Sequence, residues 1–262
     1  MRINVSQILA YERCPMYWMG RYIACRGPEQ KSKPLRMGNR WHDCCEFDRW
    51  VRDPLDTPLE ARQLVYGMAL WRRAREEWGI KVIDTEVSME MKVGDHTVFG
   101  QIDAVVEWNG RTWMLQHKTI AETANIPTYV RSLERSWHEI TYGMLAEANG
   151  YPDYAGSIIV CMRKIAYKRR STWKANMLVV EPVRIQPSEM FEVHLARRLR
   201  EMDEFSFVRR SDAVTAMESG LVPQNRSNCL KYNRLCDYVD VCDGEASVLD
   251  LPTCNSLERY AK

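Results

Sequence analysis

Two apolar runs meet at Asn109-Gly110, and this dipeptide constrains the fold more than any other feature of the chain. The runs are "TVFGQIDAVVEW" before it and "RTWMLQHKT" after it. Asn-Gly supplies the two positive-φ residues that a type I′ turn requires, so an antiparallel hairpin is predicted. Upstream, in "EVSMEMKV", Val87, Met89, Met91 and Val93 alternate with polar residues, the repeat of a half-buried strand. "GDH" turns that strand into the hairpin, completing a three-strand antiparallel meander. Asp103 lies within an apolar strand of it. Gln116 and Lys118, two apart on the next strand, share a face that can meet Asp103 across the hairpin.

The flanks read as helical. Ser6 is a candidate N-cap for "QILAYERC", with Pro15 as punctuation before "MYWMGRYI". A helix is predicted from Gly38 through "GNRWHDCCEFDRWVRD". A second runs from Pro58 to Trp78, with proline in its first turn and Gly79 after its last. Downstream, "RSLERSWHEITYGMLAEANG" predicts one helix with Gly150 as C-cap candidate. "YAGSIIVCM" and "NMLVVEPVRI" predict strands, and "SEMFEVHLARRLREMDEF" a helix. The last forty or so residues read as irregular. Three regions of one compact unit follow: an N-terminal helical region (1–80), a core (81–212) and a C-terminal cysteine-rich tail (213–262).

At 262 residues, 45% hydrophobic and 27% charged, the chain has the composition of a globular protein. No apolar run reaches bilayer-spanning length, and "MRINVSQILAYERC" lacks the basic and apolar regions of a signal peptide. The expectation is a cytoplasmic protein, in the bacterial cytosol or that of a phage-infected host. A net charge of +2 excludes nothing by itself. Nine cysteines in a reducing compartment point to metal or cluster ligands, or to small buried hydrophobes, rather than to disulfides. Cys229, Cys236 and Cys242 lie in "CLKYNRLCDYVDVC", too polar a stretch to need three thiols for packing.

The ordered motifs "SQILAYERCPMYW", "GNRWH", "GQID", "QHKT" and "HEITY" resemble the PD-(D/E)XK nuclease superfamily. The likeness is to its RecB-like branch, which includes the CRISPR-adaptation nuclease and phage exonucleases. It runs from Ser6 to Cys242 and implies an α/β fold, with a central mixed sheet flanked by helices in a restriction-endonuclease-like core. It implies a DNA phosphodiester hydrolase using Mg2+ or Mn2+, an exonuclease processing DNA ends in recombination, repair or phage replication. Single-stranded or duplex ends would be the substrate, and a recombination or single-strand-binding protein a partner. Such hydrolysis needs a metal to polarise the phosphate and activate water, and a cation to offset developing charge.

Asp103 would be the central metal ligand in that resemblance, with His42 and Glu86 as further ligands. Lys118 would orient water and stabilise the transition state, and Tyr142 would hold phosphate or brace Lys118. Two positions depart from the pattern. His138 replaces the branch's glutamine in "HEITY", and Gln116 replaces its acid. An amide carbonyl is an acceptable hard ligand without charge, so metal should bind more weakly, and Gln116→Glu should strengthen it. The other consequence of Gln116 is lost turnover, leaving a nucleic-acid-binding pseudonuclease.

The branch also places one cysteine upstream of a C-terminal trio. Cys14 matches that position, so Cys14, Cys229, Cys236 and Cys242 would hold a 4Fe-4S cluster. The branch's first C-terminal pair is usually closer than Cys229 and Cys236. Zinc on the same four thiolates, stapling a scaffold for a recombination partner, is the competing reading, though Cys-x-x-Cys knuckles are absent. Cys25, Cys44, Cys45, Cys161 and Cys254 read as core or surface residues. Finally, "RKIAYKRRSTWK" carries Arg163, Lys164, Lys168, Arg169 and Arg170 with interleaved aromatics and no acid, a candidate nucleic-acid surface with Tyr142 beside the site.

Overall fold

The structure, a computed structural model, describes residues 1–27, 33–134, 136–151, 153–164, 177–183, 189–206, 210–225, 227, 229–231 and 234–253. The chain forms two compact units. One comprises residues 1–31, 92–98 and 188–262, the other residues 32–91 and 99–187.

The second unit is built on the hairpin. Strand β2 (Lys81–Val93) leads to β3 (His96–Trp108), and β4 (Arg111–Ala121) follows a turn in which Asn109 and Gly110 have φ of 51° and 68°. Strands β3 and β4 are antiparallel, with Ala104 opposite Leu115 and Trp108 opposite Arg111. Helices α5 (Ile126–Glu134) and α6 (Trp137–Ala148) then carry the chain to β5 (Tyr154–Lys164), which runs parallel to β4. Such a parallel return needs a crossover, which these helices supply. β5 is buried along nearly its whole length, as a central strand covered on both faces must be. Strand β6 (Leu178–Val183) closes this side antiparallel to β5. With β1 (Arg2–Asn4), the sheet is mixed and six-stranded, ordered β1-β3-β4-β5-β6 with β2 against β3. The predicted α/β class with a central mixed sheet flanked by helices is the fold found.

Helices α3 (Lys33–Glu46) and α4 (Pro58–Trp78) cover one sheet face. Trp41, Leu64, Met68 and Trp71 pack there on Val106, Leu115, Ile158 and Val160. Gly67 makes the approach possible, because a Cβ there would lie 2.8 Å from Met162 Sδ. α4 starts and stops where the sequence predicts: Thr57 and Glu60 form a reciprocal capping box, and Gly79 ends the helix in the left-handed region. On the opposite face, Ile126, Leu133 and Ile140 pack on Ile120, Ile159 and Cys161.

Several boundaries moved. α3 begins five residues before Gly38. The single helix expected over "RSLERSWHEITYGMLAEANG" is two, because Ser136 caps α6 with its side chain on the His138 N–H.

In the first unit, α1 (Val5–Arg13) is capped by Asn4 rather than Ser6; the Asn4 side chain accepts from the Ser6 N–H at 2.7 Å. Helix α2 (Pro15–Trp18) and a π turn (Met19–Ile23) continue it. Helices α7 (Glu189–Ser206) and α8 (Arg210–Glu218) precede the tail. That tail is more regular than expected. It folds as a small hairpin, β7 (Leu230–Lys231) with β8 (Arg234–Leu235), then a short helix α9 (Val239–Asp243). No described helix is long and apolar enough to cross a membrane.

Candidate active site

Asp103 is the centre on which the second unit's predicted residues converge. One oxygen of its carboxylate lies 3.3 Å from His42 Nδ1 on α3, and the other accepts the backbone N–H of His117 at 2.6 Å. The side chain thus takes a bond that a plain ladder would give to a β3 carbonyl, and the regular β3–β4 register runs from Ala104–Leu115 to Trp108–Arg111. Burial works to raise the Asp103 pKa. The hydrogen bond and charge of His42, then the charge of Lys118, outweigh burial and hold the carboxyl well below the usual carboxylate range. Asp103 is therefore an anion at neutral pH, and Lys118 acts on it through space. Gly38, in the motif that supplies His42, faces the motif that supplies Lys118: a Cβ at Gly38 would stand 3.4 Å from Thr119 Oγ1.

Glu86 approaches from β2. It has φ 52°, a left-handed conformation rare for a residue with a side chain, and costly within a strand. Its Oε2 accepts from Gln101 Nε2 at 2.7 Å. Burial, then the negative charges of Asp103 and Glu46, push its pKa up to about 7, with His42 opposing and Asp43 adding to the rise. These acids repel one another, and a divalent cation would relieve the repulsion.

Gln116 is buried, but it does not stand alone. Its Nε2 donates to Glu139 Oε2 on α6 at 2.7 Å, while its Oε1 has no hydrogen-bond partner. Glu139 is 0% exposed. Its other oxygen lies 3.0 Å from His138 Nδ1. Burial would raise Glu139, but His138, Lys118 and the Ser157 hydroxyl together keep it below the ordinary glutamate value. Burial also lowers His138, so the neutral ring donates from Nδ1. Tyr142 stacks edge-on against His138 with centroids 4.5 Å apart, and its hydroxyl donates to the Gln101 carbonyl at 3.0 Å. That bond fastens α6 to β3.

Two residues of this neighbourhood escaped sequence reasoning. His117 alternates with Gln116 and Lys118, so it falls on the α3–α4 face between the rings of Trp41 and Trp71. Burial drives its pKa down to about 3, leaving a neutral imidazole against Asp103. Its alternation with Gln116 was the available signal. Glu139 carried a clearer one: a carboxylate beside His138, within a motif already singled out, in a chain lacking an acid at 116.

In the first unit, Cys14, Cys229, Cys236 and Cys242 line one cavity of about 10 Å3, together with Arg13, Met16, Tyr17 and Tyr238. The wide Cys229–Cys236 spacing has a simple cause. The β7–β8 hairpin folds between them, and the Cys236 N–H donates to the Cys229 carbonyl at 2.7 Å, so the two cysteines face each other. Cys14 Sγ accepts the Asn225 N–H at 3.4 Å. Donors of this kind suit a thiolate. Cys44, Cys45 and Cys161 are buried, Cys25 is half-buried, and Cys254 lies outside the described residues.

Among the described residues, no three His, Cys, Asp or Glu side chains are arranged to hold a metal ion as they stand. The donor types nevertheless fit: hard oxygens and an imidazole around Asp103, four soft thiols in the cavity. The buried, unpaired Gln116 Oε1 is an acceptor in want of a partner.

Of the basic segment, Lys168, Arg169 and Arg170 lie outside the described residues. Arg163 Nη1 donates to the carbonyls of Glu122 and Ala124, tying the end of β5 to the loop after β4. Lys164 is partly buried, which lowers its pKa.

A family model of the PD-(D/E)XK nuclease superfamily matches residues 2–243. The chain belongs to that superfamily, and a phosphodiester-hydrolase class follows. A solved structure from Eubacterium rectale, named "Putative exonuclease", is similar over 94% of this chain and 88% of its own, with 13% identity and a TM-score of 0.53. The crystal structure of SSO0001 matches 80% of this chain and 78% of its own at 13% identity, with a TM-score of 0.37. No curated protein matches the sequence.

Proposed function

We propose that the protein is a RecB-like, metal-dependent deoxyribonuclease that processes DNA ends, with an iron-sulfur cluster as a structural staple. The observation that carries this reading is the gathering of His42, Glu86, Asp103 and Lys118 around one hairpin, with three acidic or imidazole groups of a kind that binds Mg2+ or Mn2+. When bound, the cation would polarise the scissile phosphate and lower the pKa of water.

The chain's own residues do the rest. Asp103 stays anionic and, with His42, Glu86 and the Gln116 carbonyl, would hold the cation. Lys118 places a positive charge where the pentacoordinate oxygens gain negative charge. His117 fixes the Asp103 carboxylate through its backbone N–H. Tyr142 keeps α6 seated on β3, so the residues of both elements hold their spacing. The cavity of Cys14, Cys229, Cys236 and Cys242 supports a 4Fe-4S cluster by ligand number and softness.

End-labelled linear DNA, single- and double-stranded, with circular controls, tests the activity in Mn2+ and in Mg2+. Release of nucleotides from linear substrates alone is the expected result. Cleavage of circles would replace the exonuclease reading with an endonuclease one, and an inert wild type that still binds DNA would mean a pseudonuclease. Iron and acid-labile sulfide in anaerobically purified protein test the cluster; stoichiometric zinc without iron would overturn it.

A further inference from the structure

We propose that Glu139 is a positioning residue that locks the Gln116 amide in one orientation, so that Gln116 Oε1 is the atom offered to a divalent cation. This rests on the reading of Asp103 and its neighbours as a metal site. A carboxylate accepts hydrogen bonds and does not donate them, so only the NH2 side of the amide can face Glu139. The 2.7 Å contact from Nε2 is that arrangement. The carbonyl must then point away, and it does so without a partner in a residue only 3% exposed. A buried acceptor left unpaired costs about 1–3 kcal/mol. An unconstrained glutamine would turn to avoid that cost, and Glu139 prevents the turn.

Glu139 is itself held: His138 occupies its second oxygen at 3.0 Å, and the side chain is wholly buried. Gln116 follows Leu115, the last residue of β4 in regular register with β3, and directly precedes His117, whose N–H holds the Asp103 carboxylate at 2.6 Å. The negative charge missing from residue 116 is thus present one residue further out, on α6, and reaches the site through the amide.

The consequence reverses the expectation that Gln116→Glu would strengthen metal binding. A glutamate at 116 would press a second carboxylate against buried Glu139, and two such groups at hydrogen-bond distance must share a proton or separate. Exchanging the two residues avoids this. In Gln116→Glu/Glu139→Gln the amide at 139 donates to one oxygen of the carboxylate at 116 and leaves the other free.

Isothermal titration of Mn2+ alone into the full chain, without DNA, tests the inference, with thermal unfolding recorded for every variant. Glu139→Gln should bind Mn2+ about tenfold or more weakly, since the new amide can cap Oε1, and orienting partners of metal ligands are worth 10–100-fold in affinity. Gln116→Glu should unfold at a lower temperature than wild type without metal. The double variant should recover both the unfolding temperature and an affinity at or above wild type. A purely structural role would lower the unfolding temperature of Glu139→Gln and leave its Mn2+ affinity unchanged, which would overturn the proposal. So would a double variant that binds no better than Glu139→Gln. A wild type that binds no Mn2+ would instead bring down the metal-site reading itself.

Discussion

The candidate active site and the cysteine cavity differ in how far apart in sequence their parts lie. Asp103, Gln116 and Lys118 come from two strands joined by Asn109-Gly110, and a single Asp103 side chain bonds the neighbouring strand. The cavity instead gathers Cys14 with residues more than two hundred positions later. A hairpin closes cheaply because its loop is short, whereas joining distant segments costs more chain entropy, a cost that the proposed cluster would offset. The first site should therefore survive substitutions in its chemistry without unfolding. The second should not.

The largest effect should come from the cavity. Cys14→Ala is expected to lose iron and sulfide and to destabilise the protein by several kcal/mol, because binding at a structural centre is folding free energy. Iron analysis and thermal unfolding check this, with Cys161→Ala as a control that keeps its iron. A Cys14→Ala protein that melts like wild type would break the contrast between the two regions.

Lys118→Ala should do the reverse. Cleavage should fall about 10²–10³-fold or more, the usual loss when one transition-state donor is removed. DNA affinity and unfolding temperature should barely change, since one lysine supplies little of the counterion-release term. Single-turnover cleavage and a DNA titration separate the two quantities. An equal loss in both would mean that Lys118 binds substrate rather than the transition state.

A smaller effect concerns pH. Glu86 has a folded pKa of about 7 against an ordinary 4.5, so between those values the native state holds more proton than the unfolded one. Stability of the metal-free protein should then fall as pH rises from about 4.5 to about 7, by roughly 1 kcal/mol once solvent screening is allowed for. Denaturant unfolding in chelator should show this slope. Glu86→Gln should abolish it, and a slope unchanged in the variant would assign it to another group.

The smallest effect is at the start of the cysteine-bearing unit. Asn4→Ala removes the cap that accepts the Ser6 N–H and should cost about 1 kcal/mol. Ser6→Ala should cost less, although Ser6 is the residue the sequence offers as cap. Urea unfolding of both variants decides between them.

Much of the frame is legible in the sequence. The Asn109-Gly110 turn, the capped span of α4 and the parity of Gln116 and Lys118 all depend on residues within a few positions of one another, where steric and hydrogen-bonding rules act directly. The resemblance joined His42 and Glu86 to Asp103, and Cys14 to the C-terminal trio of cysteines. Other features could not be read in this way. The split between α5 and α6 turned on one serine competing for a backbone N–H, and the facing of Cys229 and Cys236 turned on a two-residue hairpin with weak sequence signals. The compact units are discontinuous in sequence, so no composition shift marks their edges.

Gln116 shows the division most sharply. Residue type and spacing place an uncharged amide where a carboxylate was expected, and from that alone the site is merely weaker. That Glu139, twenty-three positions on, faces it at 2.7 Å depends on how α6 lies over the sheet, which is set by packing against Ile120, Ile159 and Cys161. Charge on a side chain is a local property. Where that charge arrives is decided by the layers that enclose it, because burial leaves an anion only the few partners that packing puts within reach.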